Sequence, residues 1–156
     1  MQKLSKFVYF AIAFLFLAIS NLYFANLITS KLASGWQFSN FLFHIVYAEN
    51  TGAAFSIMQN STNFLIILSV VAIFAVTVYI IKNLKTILMK ELFLLAVLVA
   101  GIAGNLCERV FLGHVRDFFD LNFISFPIFN IADIFINIGV LGMIILILLT
   151  KNANKV

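Results

Sequence analysis

The chain has 156 residues, of which 63% are hydrophobic and 10% charged, against roughly a quarter charged in an ordinary soluble domain. A chain this small leaves a large fraction of its surface outside its core, so nineteen phenylalanines cannot all be hidden and lipid is the expected solvent for much of them. The length suits one domain, and the single cysteine, Cys107, excludes an internal disulfide framework or a multi-cysteine metal site.

Four apolar stretches, residues 7–28, 63–81, 92–107 and 128–150, are the expected membrane spans. At about 1.5 Å per residue the second covers roughly 28 Å and the fourth about 34 Å, close to a hydrocarbon thickness of about 30 Å. The third covers only about 24 Å and needs tilted neighbours, a thinned bilayer or a charged end that faces protein. The first follows Lys3 and Lys6, and its Ala18-Ile19-Ser20 resembles a signal cleavage site. Its apolar run outlasts the usual h-region of about 7–15 residues, so an uncleaved span is expected.

Lys3, Lys6, Lys82, Lys85, Lys90, Lys151 and Lys155 fall at the amino terminus, between the second and third spans, or at the carboxyl terminus, and only Lys31 lies elsewhere. Four spans place those three segments on one face, and the lysine excess marks it as cytoplasmic, with both termini inside. The formal charge of +4 is then a topology signal that requires no nucleic-acid partner.

The two remaining connections, about 29–62 and 108–127, hold Glu49, Glu108, Arg109, Arg116, Asp117, Asp120, His44 and His114. In the first, Phe41, Phe43, Ile45 and Tyr47 alternate with Leu42, His44, Val46 and Ala48, and the turn signals Glu49-Asn50-Thr51-Gly52 follow. A small strand pair at the membrane surface beside Trp36 is expected, with His44 and His114 as bystanders.

Ionisable side chains within spans are expensive and are functional candidates by default. Asp133 stands six residues into the span that Pro127 is expected to open, with Asn130 and Asn137 three before and four after it on the same face. In the third span Gly101, Gly104, Asn105 and Glu108 follow an i, i+3, i+4, i+7 pattern, and Arg109 stands four residues after Asn105. Each asparagine alone reads first as interhelical glue, and Glu108 with Arg109 as an ion pair at the lip. Asp133 reads as functional, because glue can be made from neutral groups. Asp117 alone reads as a solvated loop carboxylate. No serine–histidine–aspartate arrangement, zinc-helix motif or phosphate-cradling loop is legible.

Four blocks nevertheless resemble, in order and spacing and over nearly the whole chain, the signatures of lipoprotein signal peptidase, the bacterial type II signal peptidase. They are Asn50-Thr51-Gly52-Ala53-Ala54-Phe55, the run from Ala100 to Arg109, Gly113-His114-Val115-Arg116-Asp117-Phe118, and Phe129-Asn130-Ile131-Ala132-Asp133. The resemblance implies an all-α membrane protein of four transmembrane helices, with a small extracytoplasmic β-sheet and a surface helix or loop. It implies an aspartyl endopeptidase of the inner membrane whose active site faces the extracytoplasmic side. Its substrates would be diacylglyceryl-modified prolipoproteins, cut just before the lipidated cysteine. Asp117 and Asp133 match the catalytic pair, and Asn50, Asn105, Arg109 and Asn130 match the residues that line the site; Gly52 and Asn137 join them as expected substrate-binding positions. No metal or cofactor is expected, the surrounding partner is membrane lipid, and a monomer is expected.

Two departures stand out. The family usually carries an aspartate and, four residues on, a lysine late in the first span, where this chain has Asn21 and Ala25; and its block on the third span usually ends Asp-Arg, where this chain has Glu108-Arg109. Two other functions compete: a homologue that binds lipidated peptides without cutting them, and a small cation- or proton-coupled transporter. Retention of both aspartates weighs against the first. The apolar run Ile138 to Ile144, without acid or base, weighs against the second.

Overall fold

Inside a bilayer every backbone polar group needs an internal partner, which favours helices. The computed structural model describes residues 2–52 and 61–153, and within them four long helices alternate with two short strands. They are α1 (Gln2–Ala33), β1 (Phe43–Asn50), α2 (Thr62–Asn83), α3 (Met89–Leu112), β2 (Val115–Leu121) and α4 (Ile131–Ala153). All four helices are long and apolar enough to cross a membrane. Side chains such as Phe16, Ile67, Phe74, Ile145 and Leu149 are exposed, as lipid-facing side chains should be.

The helix α3 is the centre, packing against each of the other three. More than half of its apolar window is buried, 56% against 11% for α2, which is why its sequence tolerates fewer large side chains on the packed face. At Gly101 a Cβ would come within 2.5 Å of the Ala132 carbonyl oxygen of α4, and at Gly104 it would run into the Asn21 side chain of α1. Small residues here let two neighbouring backbones close in. At the far end Ile80, Ile87, Leu92 and Leu95 form an apolar core joined by Phe10 and Met143. There the Lys6 ammonium donates to the carbonyls of Lys85 and Ile87, tying the amino end of α1 to the connection between α2 and α3.

The third span is longer than the 24 Å expected. Its helix has 24 residues, about 36 Å, because the charges flanking the apolar run are absorbed rather than excluded. Glu91 accepts a hydrogen bond from the Leu88 N–H at one end, and Glu108 and Arg109 are buried among neighbours at the other. Gly113, at φ 83°, then ends the helix in the left-handed conformation that glycine adopts at least cost, and β2 starts two residues later.

The strands pair antiparallel, with His44 opposite Asp120, Glu49 opposite Arg116 and Asn50 opposite Val115. Between Ile45 and Ala48 the register slips by one residue, a bulge that re-aims the strand and places Ala48 opposite Asp117. The strand runs on through Glu49 and Asn50, where turn residues were expected. The turn begins at Asn50 itself, whose side-chain oxygen accepts from the Gly52 N–H. Ala53, Ala54 and Phe55 of the first block lie outside the described residues.

Pro127 does not open α4, which starts at Ile131. The Phe129 N–H and carbonyl are engaged with β2, donating to Phe119 and accepting from Phe118 and Phe119, so the chain cannot turn helical before Asn130. Asp133 is therefore in the first turn of α4 rather than six residues into it.

Gly101→Ala should lower the thermal midpoint in detergent by several degrees, since overpacking against backbone typically costs about 1–3 kcal/mol. Gly142→Ala, whose Cβ would meet the flexible end of the Leu94 side chain and no backbone, should move it by about a degree at most; equal shifts would contradict the close approach of α3 and α4.

Candidate active site

Three segments converge where the strands meet the helix ends. β2 supplies Asp117, the last turns of α3 supply Asn105, Glu108 and Arg109, and the start of α4 supplies Asn130 and Asp133. Phe129 bridges to Phe119, which draws the start of α4 alongside β2 and brings two aspartates sixteen residues apart in sequence into one network.

Every carboxyl oxygen of the two aspartates accepts from a neutral donor. Asp117 Oδ1 accepts from Asn130 Nδ2 at 2.8 Å and Oδ2 from Asn50 Nδ2 at 2.9 Å. Asp133 Oδ1 accepts from Asn105 Nδ2 at 2.9 Å, and Oδ2 from the Asn130 backbone N–H at 3.1 Å. The same Asn130 amide also donates to Asn105 Oδ1 at 3.1 Å, so a two-asparagine bridge runs from one carboxyl to the other. Asn130 Oδ1 in turn accepts from the Asp133 N–H at 3.0 Å. With the Asp133 carboxylate returning to the Asn130 N–H, this makes a reciprocal cap of α4. One pair of residues thus begins the helix and holds the carboxyl in place.

Arg109 sits behind this network. Its guanidinium donates to the Gly52 carbonyl at 2.9 Å and to the Asn105 carbonyl at 3.5 Å. Among the described residues it forms no ion pair, and so contributes positive charge without capturing either aspartate. Asn137 donates to the Asp133 main-chain carbonyl at 2.9 Å.

A cavity of about 630 Å³ opens beside the aspartates. Asn50, Asn105, Arg109, Asp117, Asp133 and Asn137 form its polar side, and Leu121, Phe126, Phe129, Ile134, Ile138 and Leu141 are among the residues of its apolar wall. Of the expected substrate-binding residues, Gly52 and Asn130 stand behind the lining instead; both backbone groups of Gly52 are engaged, with Asn50 and Arg109.

Asp117 is not a solvated loop residue. It is only 2% exposed, and its carboxyl is pushed up to about 7, first by burial and further by the nearby Asp133 charge. The amide bonds from Asn50 and Asn130 and the charge of Arg109 pull the other way. Burial wins because neutral donors do not replace the hydration that an anion loses.

One expected pairing is corrected. Glu108 does not pair with Arg109 but with Arg116, at 2.6 Å. The two faces of an alternating strand explain this: Asp117 turns toward the aspartate network, so Arg116 turns away from it, toward α1 and Glu108. Helical spacing from Asn105 to Glu108, three residues, already put the glutamate on the buried face. His44 and His114 stand away from the cavity, at the sheet, where His44 faces Asp120 at 3.1 Å and His114 faces Glu49 at 3.6 Å. Asn21 and Ala25 are both buried against the bundle, beside Glu108 and Arg116.

Residues 6–149 match the family model described as signal peptidase (SPase) II. The chain is 42% identical to a lipoprotein signal peptidase of Streptococcus thermophilus over 113 residues, 72% of this chain and 73% of the relative. It is 39% identical to one of Dehalococcoides mccartyi over 132 residues, 82% and 81% of the two chains, and 34% identical to one of Fusobacterium nucleatum over 134 residues, 85% and 81%. A bacterial membrane enzyme solved by the in meso method at 2.3 Å resolution superposes with a TM-score of 0.81 at 30% identity, covering 94% of this chain and 91% of that one.

The Asp117 carboxyl, followed by carbon-13 NMR in micelles, should titrate near 7. In Asp133→Asn, which removes the neighbouring negative charge, the midpoint should fall while staying above the usual carboxylate range, because burial remains the larger cause. An unchanged midpoint would mean that the two carboxyls do not feel one another.

Proposed function

The chain belongs to the signal peptidase II family and removes the signal peptide from prolipoproteins, and we propose that it does so by aspartic chemistry, with Asp117 and Asp133 as the catalytic pair. The observation that carries this reading is the asparagine bridge that links both carboxyls at the edge of one cavity. Two carboxyls sharing a site cannot both ionise cheaply, so one keeps a proton and the other acts as base. Asp117, held up to about 7, is suited to keep it. The base takes a proton from water as the water attacks the scissile carbonyl, and the protonated partner donates to the carbonyl oxygen. Asn105 and Asn130, being neutral, hold both groups without supplying a charge that would pin either protonation state.

The substrate is a diacylglyceryl-modified prolipoprotein cut before its lipidated cysteine. The apolar wall formed by α4 and the segment before it suits acyl chains or the apolar core of a signal peptide, and an extended peptide within lipid needs polar partners for its backbone. Asn50, Asn105, Arg109 and Asn137 are the proposed partners on the cavity wall, with Gly52 and Asn130 bracing them from behind. The lysine excess at the opposite end supports a cytoplasmic position for both termini and an extracytoplasmic active site in the inner membrane. Trp36, stacked on Phe38 and covered by Lys31 at 5.6 Å, supports a seat for the sheet at the membrane surface.

Asp117→Asn and Asp133→Asn should each reduce cleavage of a lipidated prolipoprotein by at least about 10²–10⁴-fold, the usual effect of losing a general acid or base, with unchanged insertion and fold. A loss of only a few-fold at either position would remove it from the pair.

Orientation has its own test. In a Cys107→Ser background, a membrane-impermeant thiol reagent applied to intact cells should modify a cysteine introduced at Ser34 and miss one introduced at Lys85. The reverse pattern would overturn the proposed side of the active site.

A further inference from the structure

The mechanism leaves one buried ion pair unused. Arg116 and Glu108 are 11% and 7% exposed in their side chains, and their bonds exhaust both carboxylate oxygens. Glu108 Oε1 accepts from Arg116 Nε at 3.0 Å and Nη2 at 2.6 Å, and Oε2 accepts from the Arg116 backbone N–H at 2.7 Å. The remaining guanidinium nitrogen, Nη1, donates to Asn26 Oδ1 at 3.0 Å and Thr29 Oγ1 at 3.3 Å on α1. One side chain therefore joins α1, α3 and β2. A flexible ammonium could not make this fork, because planar guanidinium geometry is what matches two carboxylate contacts at once.

The position of the pair gives it consequence. Glu108 is one helical turn beyond Asn105, and Arg116 is joined to Asp117 by a peptide bond. Glu108 also grips the Arg116 backbone N–H, so it holds the strand itself and not only the side chain. The two aspartates are linked on one side by Asn105 and Asn130; the Glu108–Arg116 clasp fixes from the other side how far β2 stands from α3. Asn105, Asn130, Glu108 and Arg116 all border a small gap of about 10 Å³ whose remaining lining includes Asn21 and Ala25.

We propose that Arg116 and Glu108 are positioning residues for peptide cleavage, acting as a buried clasp that sets β2, and with it Asp117, at the working separation from Asp133. The proposal rests on the aspartic reading given above. Removing one member of a buried pair leaves an uncompensated charge, whereas removing both is far milder. The guanidinium also neutralises Glu108 directly behind the asparagine bridge, so the effect of its loss should be electrostatic as well as mechanical. Ala25, bordering the same gap, is a place from which a substitute cation could reach Glu108.

The test measures kcat and KM on a synthetic diacylglyceryl signal peptide in micelles, together with the Asp117 carboxyl midpoint, for four full-length proteins. Relative to the parent, Arg116→Gln should lose about 10–100-fold in kcat with KM within about threefold, and should raise the Asp117 midpoint as the amide donors to it loosen. Glu108→Gln combined with Arg116→Gln should recover the part of the loss that comes from the unpaired charge and leave kcat below the parent, because no guanidinium fork then holds β2; parental kcat in this double variant would overturn the proposal. Ala25→Lys combined with Arg116→Gln should recover part of it, by returning a cation to Glu108 from a different helix. An Arg116→Gln protein with parental kcat and an unmoved midpoint would overturn the proposal. So would a loss that neither second change repairs. A parent that cut nothing would instead sink the aspartic reading, and the midpoint of Asp117 in the same four proteins would still decide whether the clasp positions it.

Discussion

The fold around the site depends on one primary amide. The Asn130 side chain donates to Asp117 and to Asn105, and accepts from the backbone of Asp133. It thereby connects a strand, the central helix and the start of the last helix through three hydrogen bonds made in a setting with little water. Bonds of this sort are worth modest net energy where water competes, but leaving a buried donor or acceptor without a partner is costly. The segments that bring these groups together are accordingly constrained: β2 must run beside residue 129, α4 must begin at Asn130, and α3 must come close enough for Asn105 to reach both. Gly101 and Gly104 supply that last condition. The small residues of α3 and the polar residues of the site are therefore parts of one requirement.

Much of this was legible in the chain because lipid simplifies the pattern. The four spans and the face Gly101, Gly104, Asn105, Glu108 are local signals with helical period, and they match the observed helices to within a few residues at each end, α4 alone starting later than its apolar run suggests. What was not legible depended on contacts between distant segments. β2 reads Val115-Arg116-Asp117-Phe118-Phe119-Asp120-Leu121, with no clean alternation, and it is a strand because β1, about seventy residues earlier, offers a hydrogen-bonding edge. The start of α4 falls later than its local signals suggest for the same reason. Pro127 is a fair first-turn residue locally, but a tertiary bridge at Phe129 overrides it. Asp117 taken alone reads as a solvated carboxylate, yet it is among the most buried side chains, since burial of a loop carboxyl cannot be read from its neighbours in sequence. Its pairing with Asp133 came from family resemblance, not from spacing.

The charges close to the bridge form a small ledger of their own. Asp117, Asp133 and Glu108 are three acids, Arg109 and Arg116 two cations, and all but Asp133 are at least nine-tenths buried or nearly so. A cluster in a low-dielectric setting is most stable near electroneutrality, because net charge there is poorly screened. With Glu108 matched by Arg116, the remaining two carboxyls face a single cation, Arg109. One proton retained between them brings the set to zero. The protonation state that aspartic chemistry requires is thus also the state that this arrangement of fixed charges favours, and the rise of Asp117 to about 7 points the same way.

That balance also makes sense of the first helix. An aspartate and a lysine at the positions of Asn21 and Ala25 would add one charge of each sign, and their absence leaves the sum around the site unchanged. Asn21 occupies its place as a neutral amide packed on Gly104, and the space beside Ala25 is bordered by the guanidinium of Arg116. Replacing both partners of a buried pair is tolerated where replacing one is not. The ion pair that braces this part of the bundle is then the one between α3 and β2, reaching α1 only through the neutral oxygens of Asn26 and Thr29. An aspartate restored at position 21 without its lysine would add a fourth acid to two cations, and a second retained proton would be needed to hold the cluster neutral. The first helix is compatible with a working site because the two charges are missing from it as a pair.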